Sequence, residues 1–453
     1  MFRRSSEIVP VSSPSWWWTS IGGPPAPRPA LEGDRDCDVC IVGGGYTGLW
    51  TAYALRRADP SLDVVVLEAE HVGFGASGRN GGWVLGELST GQRLRRQAGP
   101  AGVEALQRAV ERAVDEVVAV CAEEDIDCDL VRGGTLTVAQ AATEHERLRA
   151  GGHGELLDAE AARARVNVAG VKGARYFGAC ARVQPAKLVA GLAGAVERRG
   201  AIVHEHSTAV EIAPGRVRTP GGTLRARWVV RATEGYTARL PGLRRAMLPV
   251  NSSMVVTEPL GDDVWAAIGW EGCETLLDGA YAYCYLQRTA DGRIAIGGRG
   301  VPYRFGSRTD TAGELADGTA PALRRRLERL FPVLRGVGLD GAWAGVLGVR
   351  RDWGASAHCD RDSGMCWAGG YAGEGVAASN LAWRTLSDLI VGRDTELTRL
   401  PWVGHEAREW EPEPLRYLAV HAMYATLRTA DAIEARTRRQ SRLAALAEVL
   451  SGR

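Results

Sequence analysis

The sequence predicts an α/β protein in which a Rossmann-like, dinucleotide-binding unit is combined with a second layer of antiparallel β-strands. Three observations predict this fold class. A glycine motif lies between two short apolar runs near residues 36–68, and a second glycine turn opens a helix near residue 375. From about residue 245 to 310, apolar and polar residues alternate with period two. The first two patterns are typical of βαβ units, and the third of antiparallel strands.

The first glycine motif has the spacing of a dinucleotide site. Residues 37–42 form a buried strand, residues 43–48 (GGGYTG) fit G-x-G-x-x-G, and residues 64–67 form a second strand that ends before Glu68. The first glycine permits a tight turn, the second lets backbone approach a pyrophosphate, and the third lets the helix pack on the strand. Glu68, twenty residues past Gly48, is placed to accept ribose hydroxyls. The pattern favours a dinucleotide site over a merely glycine-rich turn.

A second glycine-rich stretch follows directly. Five glycines lie between residues 73 and 82, together with Ser77, Arg79 and Asn80. So many glycines exclude the interior of a packed helix or strand. We expect a polar loop that wraps the rest of the cofactor, and the alternative is a flexible surface loop.

Composition sets limits on function. The 453 residues carry a net charge of +1, so no broad field favours nucleic acid or an anionic membrane. No apolar run approaches the roughly 20 residues that span a bilayer, and no signal peptide is expected. The nine cysteines are an odd number without repeated spacing, which favours a reducing cytoplasm. Cys37 and Cys40 lie on opposite faces of one strand, so we expect two small buried residues and no metal site.

The changes in pattern along the chain predict its domains. Residues 1–35 form an N-terminal arm with three consecutive tryptophans, and residues 401–453 form a helical tail. The cofactor domain is discontinuous and comprises residues 36–95, 155–243 and 335–400. Residues 96–154 and 244–334 form a substrate domain on a mixed or antiparallel sheet. Tyr281, Tyr283 and Tyr285 alternate, so they share one strand face and line either a core or a substrate. The absence of a second G-x-G-x-x-G unit argues against a separate NADPH domain.

These motifs resemble those of a known family. GGGYTGLW with VVVLEAE, then GFGASGRNGG, DGRIAIGGRG and GGYAGEGVAASNLA, are similar to the D-amino-acid-oxidase superfamily of FAD proteins. The nearest branch resembles the gamma-glutamylputrescine-oxidase-like amine oxidoreductases. The resemblance covers nearly the whole chain and implies an FAD-binding domain with a substrate domain. It implies FAD contacts at Gly43, Gly45, Tyr46, Thr47, Gly48, Glu68, Ala69, Gly75, Ala76, Ser77, Arg79, Asn80, Gly81, Gly82, Val210 (through its backbone), Ala232, Thr233, Gly373, Glu374, Gly375 and Val376.

The sequence departs from the sarcosine-oxidase relatives at three places. A lysine that activates oxygen there is matched near Ala295, which puts efficient use of O₂ in doubt. A second lysine, which holds a substrate carboxylate there, is matched near Ala377. Residues 345–352 contain no cysteine that could tether the cofactor, so we expect non-covalent FAD.

The residues that we expect to carry the chemistry are Arg299, Tyr283, Tyr285, Arg351 and Glu374, with Trp83 as a further pocket residue. Arg299 follows two glycines at the end of a strand. We expect its guanidinium to contact a substrate carboxylate or the edge of the flavin, or else to form a salt bridge on the surface. Arg351 meets the substrate or, with Asp352, simply pairs with neighbouring residues. Glu374 binds a cationic amine or only provides a negative charge at the start of a helix. We expect hydride transfer from an amine or amino acid to flavin N5, with O₂ or another acceptor completing the cycle. The alternatives are a dehydrogenase or monooxygenase with an acceptor other than O₂, and a flavoprotein without turnover.

Overall fold

The computed structural model describes residues 14–309 and 313–452, so the part of the predicted arm before residue 14 lies outside the described residues. Two large sheets and a two-stranded ribbon contain the strands β1 Arg35–Val42, β2 Val64–Leu67, β3 Trp83–Leu85, β4 Thr135–Ala139, β5 Glu155–Asp158, β6 Gly173–Phe177, β7 Cys180–Arg182, β8 Ile202–His204, β9 Glu211–Ala213, β10 Arg216–Thr219, β11 Gly222–Arg231, β12 Leu248–Thr257, β13 Thr275–Asp278, β14 Cys284–Arg288, β15 Ile294–Gly298, β16 Leu339–Val349, β17 Ser356–Cys359 and β18 Met365–Gly369. The helices are α1 Trp16–Thr19, α2 Tyr46–Ala58, α3 Gly91–Glu123, α4 Ala142–Ala150, α5 Ala159–Arg165, α6 Pro185–Arg198, α7 Asp262–Ile268, α8 Thr319–Leu330, α9 Gly375–Val391, α10 Leu415–Thr437 and α11 Arg442–Ser451.

The first sheet has the order β17-β18-β11-β1-β2-β8, with β9 and β10 extending from β11. Its strands β18, β11, β1, β2 and β8 run parallel, and β17 pairs antiparallel at the edge. The strands are apolar because helices α2 and α9 cover a face of the sheet, and Val39 to Val42 are buried. The predicted α/β class and the discontinuous Rossmann-like unit are confirmed, since β11 and β18 join β1 from distant parts of the chain.

The second sheet has the order β16-β12-β15-β14-β13-β4-β6-β5 and is antiparallel except where β13 meets β4. Its membership differs from the predicted domain bounds. Strands β5, β6 and β16 belong to this sheet, although residues 155–243 and 335–400 are expected in the cofactor domain. The local pattern of each segment predicts a strand but not its partner. The pairings that decide membership are long-range, for example Thr135 with Phe177 and Leu248 with Val349.

The three tryptophans of the N-terminal arm form the short helix α1 and are buried, with 6%, 1% and 0% of their surface exposed. The indole Nε1 of Trp17 donates a hydrogen bond of 2.8 Å to the carbonyl of Asn80. The hydroxyl of Ser15 donates one of 2.6 Å to the carbonyl of Gly78. The arm therefore lies against the glycine-rich loop of residues 73–82, as its aromatic content predicts.

One pair of cysteines is joined across the edge of the first sheet. Cys359 on β17 and Cys366 on β18 are directly opposite each other and form a disulfide, which no sequence pattern predicts. Cys40 is buried and Cys37 is half-buried within β1.

Among the described residues, no helix combines the length and the apolar character that a membrane-spanning segment requires.

Candidate functional site

The glycine motif after β1 forms a cradle of backbone that carries no side chains. Gly43 has a φ of +117°, and a Cβ atom there would lie 2.5 Å from the carbonyl oxygen of Ala232. A Cβ atom at Gly48 would lie 1.9 Å from the carbonyl oxygen of Gly43. Only glycine fits these two positions, because helix α2 and strand β11 approach the turn so closely. Helix α2 begins at Tyr46, so the positive end of its dipole lies beside the turn.

Glu68 lies where β2 ends, beside the cradle. Its carboxylate accepts hydrogen bonds from the N–H groups of Gly44, at 2.7 Å, and Glu70, at 3.0 Å. Burial raises the pKa of Glu68, although these N–H groups act to lower it. The acid is thus held at the edge of the glycine turn, the position that an adenosine ribose occupies in dinucleotide folds. Ala69, the next residue, is exposed.

The loop of residues 73–82 is ordered by its own polar side chains. Ser77 Oγ accepts a hydrogen bond of 2.8 Å from the N–H of Tyr46. The side-chain amide of Asn80 donates to the carbonyls of Ala76 and Ser77, and its oxygen accepts from the N–H of Gly82. The loop is therefore not a flexible surface segment. It is fastened to the start of α2, with its glycine backbone free of side chains.

Arg79 has a structural environment in this loop. It is 2% exposed and donates hydrogen bonds to the carbonyls of Phe74, at 2.7 Å, and Ala344, at 3.2 Å. Its guanidinium also lies over the ring of Phe74. The side chain therefore links the loop to β16 of the second sheet. Its assignment to the cofactor, like the other contacts carried over from the family, stays a prediction.

The second glycine turn lies next to the cradle. The hydroxyls of Thr47, on α2, and Tyr371 are 3.1 Å apart. Gly373 has a φ of +121°, Glu374 is the N-cap of α9, and Gly375 and Val376 form its first turn. The two helix N-termini that the sequence singles out are thus brought together along one edge of the first sheet, where a ligand of an open α/β sheet binds.

Of two other predicted contact regions, the residues after β11 lie beside the cradle, whereas Val210 is exposed. The N–H of Ala232 bonds the carbonyl of Val42 at 2.8 Å, so Ala232 and Thr233 lie directly beside the cradle. Val210 is 48% exposed, and its N–H already donates to the carbonyl of Arg218 at 2.8 Å. A backbone contact from Val210 to an adenine therefore has only its carbonyl to offer.

The second sheet supplies a wall that faces the loop of residues 73–82. The Tyr285 ring lies between two glycines, since Cβ atoms at Gly81 and Gly297 would come within 2.8 Å and 2.2 Å of it. Its hydroxyl is 2.8 Å from that of Ser252. Trp83 meets the same ring edge to face at 6.2 Å, and its Nε1 is buried with no hydrogen-bond partner among the described residues.

Arg299 lies at the end of this wall, one residue beyond β15. Its Nη1 is buried and has no hydrogen-bond partner in the described part of the chain. Its Nη2 would lie 3.7 Å from a Cβ atom on Gly373. Burial alone would lower the pKa of Arg299, but the phenols of Tyr424, Tyr283 and Tyr285 raise it overall. A buried guanidinium edge with an unmet donor is costly unless an anion binds there.

One sequence prediction about this wall is wrong. Tyr281 lies in a turn and Tyr283 just before β14, so the three tyrosines do not share a strand face. The turn forms because Asp431 of the tail accepts the N–H groups of Tyr281 and Ala282.

Arg351 takes the second of its two predicted roles and forms an ion pair. Its Nε donates a bifurcated hydrogen bond to both carboxylate oxygens of Glu411, each at 3.0 Å, and its Nη1 donates to the carbonyl of Ser451. It therefore contacts the tail, not the wall that contains Tyr285 and Arg299.

Two residues of the site were not predicted. Glu234 has a φ of +39° and accepts hydrogen bonds from the N–H groups of Gly370, at 3.0 Å, and Tyr371, at 3.3 Å. Burial raises the pKa of Glu234 to about 7. Tyr236 lies against Gly75, and its buried hydroxyl has no hydrogen-bond partner among the described residues. Neither residue belongs to a motif. The sequence signal that could have found them is their place as polar residues shortly after a buried strand, β11.

The site has the features that a dinucleotide requires. It combines glycine backbone without side chains, a helix N-terminus, an acid at the end of β2 and the unmet hydroxyl of Tyr236. The fold and the site together define the class of protein: a Rossmann-like unit with the features of a dinucleotide site, joined to a second sheet. Among the described residues, no cluster of side chains suits a metal ion.

Comparison with known proteins identifies the family. Residues 38–389 match the family of FAD dependent oxidoreductases, DAO, and the chain belongs to this family. It is 32% identical over 399 residues to gamma-glutamylputrescine oxidoreductase of Escherichia coli (strain K12), covering 81% of this chain and 86% of that protein. It is 29% identical over 410 residues to the probable oxidoreductase OrdL of Rhizobium meliloti (strain 1021), covering 86% and 91%.

Solved structures agree on the fold. Glycine oxidase from Geobacillus kaustophilus has a TM-score of 0.67 at 22% identity, covering 82% of this chain and 100% of that chain. L-proline dehydrogenase from P. horikoshii has a TM-score of 0.65 at 19% identity, covering 82% and 96%. The protein is thus an FAD-dependent oxidoreductase, and the resemblance drawn from the sequence motifs is confirmed.

Proposed function

We propose that the protein oxidises the C–N bond of an amine or amino acid that carries a carboxylate. The observation that carries the proposal is Arg299, a buried guanidinium with an unmet donor on the wall opposite the glycine turn. The names of the relatives support it, since they include a gamma-glutamylputrescine oxidoreductase and a glycine oxidase. Bound flavin would supply the acceptor for a hydride at N5.

The proposed step removes one C–H bond next to the nitrogen. The unprotonated nitrogen forms a C=N bond as the hydride leaves, and water then converts the imine into a carbonyl compound and a free amine or ammonia. Such a step depends on orientation and exclusion of water more than on a strong base. Tyr285, held by Ser252, and Trp83 supply a rigid aromatic wall for that purpose.

Two groups of opposite charge border the second glycine turn. Arg299 approaches Gly373, and the carboxylate of Glu374 belongs to the next residue. We propose that Arg299 holds the substrate carboxylate while Glu374 attracts the ammonium form and takes up its proton. Tyr283, whose hydroxyl interacts with the guanidinium, helps to orient Arg299. The FAD is proposed to be non-covalent, because residues 345–352 contain no cysteine.

The electron acceptor has a second candidate. Ala295 is fully buried on β15, on the same face as Gly297 and Arg299, and it provides no cation at the place where related oxidases have a lysine. This observation favours a dehydrogenase that passes electrons to an acceptor other than O₂.

An anaerobic screen of amines and amino acids tests the proposed reaction. The purified yellow protein is mixed with each compound, and bleaching of the flavin band at about 450 nm is followed in a stopped-flow instrument. We expect bleaching by at least one compound that has both an amine and a carboxylate. Peroxide formed in air, compared with reduction of a dye, then separates the oxidase from the dehydrogenase. Failure of every amine to bleach the flavin would refute the reaction.

A further inference from the structure

A cavity of about 290 Å³ is bounded by the N-terminal arm and by the segment that follows β14. Its lining includes Trp16, Trp17 and Ile21 from the arm, and Thr289 and Asp291 from that segment. A space of this volume is at the lower limit of small-molecule pockets, and it is large enough for one small organic ligand.

The cavity lies at the opposite end of β14 from the residues of the substrate wall. Cys284, where β14 begins, pairs with Gly298, the residue before Arg299. Arg288, where β14 ends, precedes the cavity residue Thr289. At about 3.4 Å per residue, the two ends of this strand are roughly 14 Å apart. The cavity is therefore separate from the place where Arg299 approaches the second glycine turn.

Arg182, on β7, brings an uncompensated positive charge to this cavity. The residue is 5% exposed, and its Nη1 donates a hydrogen bond of 3.0 Å to the carbonyl of Arg288. Its Nε is buried and has no hydrogen-bond partner among the described residues. Burial lowers the pKa of Arg182. Unmet donors on a buried guanidinium are unfavourable until an anion binds them.

The two acids of the lining already have cationic partners. Asp129 accepts a hydrogen bond of 2.6 Å from the Lys187 ammonium, and Asp291 accepts one of 2.7 Å from Arg293 Nε. Lys187 still has two N–H donors to offer, because an ammonium group has three. With both acids paired and the Arg182 guanidinium unpaired, the cavity favours an anion over a cation.

The lining also indicates the chemical class of this anion. The planar fork of a guanidinium matches the two oxygens of a carboxylate, and Trp16, Trp17 and Ile21 offer apolar surface to the rest of the molecule. We propose that this cavity is a second ligand site, which binds a small organic carboxylate through Arg182. The inference goes beyond the proposed function, because the site needs no reaction between an amine and the flavin.

Isothermal titration calorimetry of the holoenzyme tests this site. The probes are acetate, butyrate, hexanoate and benzoate, which contain no C–N bond to oxidise, and the primary amide of each is its neutral control. The titrations use Arg299→Gln, so that carboxylates held by the substrate wall do not contribute. We expect at least one carboxylate to bind with a Kd of about 1 mM or lower, and its amide to bind at least about tenfold more weakly.

Arg182→Gln, added to Arg299→Gln, is the deciding variant. It should weaken the carboxylate at least about tenfold, the usual effect of losing a hydrogen bond between charged groups. Ala290→Glu tests the same site with Arg182 in place. Ala290 is exposed and belongs to the lining, so the added carboxylate should repel the probe, whereas the neutral Ala290→Gln should bind it more tightly than Ala290→Glu does.

Three results would overturn the inference. The first is that no carboxylate binds to Arg299→Gln, and the second is that inorganic phosphate binds more tightly than every carboxylate. The third is that Ala290→Glu, or an Arg182→Gln variant with the circular dichroism of its parent, binds the carboxylate as tightly as its parent. The proposed reaction is tested separately, because bleaching by amines does not involve these probes.

Discussion

Gly48 offers a sharp test of how the cofactor cradle is built. A methyl group there would lie 1.9 Å from the Gly43 carbonyl oxygen and 3.2 Å from Ile41 Cγ2. The carbonyl cannot swing aside, because Gly43 is itself confined by the Ala232 carbonyl at 2.5 Å from its own Cβ position. Helix α2 must therefore move away from β1. Overpacking of this kind typically costs 1–3 kcal/mol, and for a clash with backbone we expect Gly48→Ala to cost about 3 kcal/mol.

Gly45→Ala is the matched variant. A methyl group there would meet only the side chain of Ser77, with its Oγ at 2.9 Å. Moving Ser77 away from the methyl group would weaken its hydrogen bond with the Tyr46 N–H, so we expect a loss of stability of about 1 kcal/mol. The methyl group would nevertheless stand where the backbone approaches the pyrophosphate, so FAD affinity should fall by about 100-fold, equal to some 2.7 kcal/mol.

Urea unfolding of the FAD-free chains gives the two stabilities, and quenching of FAD fluorescence gives the affinities. The reasoning is refuted if Gly48→Ala is as stable as the wild type, or if Gly45→Ala binds FAD with unchanged affinity. A third result, in which both variants lose stability equally, would show that the two glycines share one packing role.

Three further predictions concern residues around the site. Because burial raises the pKa of Glu234 from 4.5 to about 7, the folded chain keeps a proton that the unfolded chain releases. The free energy of unfolding should thus fall by about 3 kcal/mol as pH rises from 4.5 to 7. In urea unfolding of the FAD-free chains across this range, Glu234→Gln should lack this pH-dependent loss of stability. Arg351→Met removes an ion pair with Glu411 at the tail, so kcat/KM should stay within about twofold and stability should fall by less than about 1 kcal/mol. A larger loss of activity would show that Arg351 belongs to the substrate pocket. Trp17→Ala should cost about 3–5 kcal/mol in urea unfolding and release FAD more readily, whereas wild-type stability would show that the arm is dispensable.

The parts of the site that depend on local geometry could be predicted from the sequence. The unit β1-α2-β2 lies within residues 35–67, and its glycine spacing already encodes the close approaches seen at Gly43 and Gly48. The position of Arg299 at the end of a strand likewise follows from the two glycines before it, since β15 ends at Gly298. In each case the residues that decide the geometry are close in sequence, so a short pattern contains enough information.

The parts that were left open, missed or misplaced depend on distant partners. Tyr281 leaves the strand because Asp431, 150 residues away, accepts its N–H. Arg351 turns to the tail because Glu411, 60 residues away, offers a carboxylate. Glu234 is an ordinary acid in the sequence and becomes buried only when the turn at Gly370 closes over it. No local periodicity reports such contacts, since tertiary packing alone creates them.

The N-terminal arm limits how this chain can be recombined with its relatives. A version trimmed to residues 38–389 would keep the segment that the family shares, but it would remove the Ser15 and Trp17 donors that reach the Gly78 and Asn80 carbonyls. Those carbonyls belong to the loop that borders the cradle, so the cut would leave it without two of its anchors. Chimaeras and surface-display fusions should therefore exchange or extend the chain outside residues 15–18, and treat the tryptophan helix as one piece with the loop that it covers.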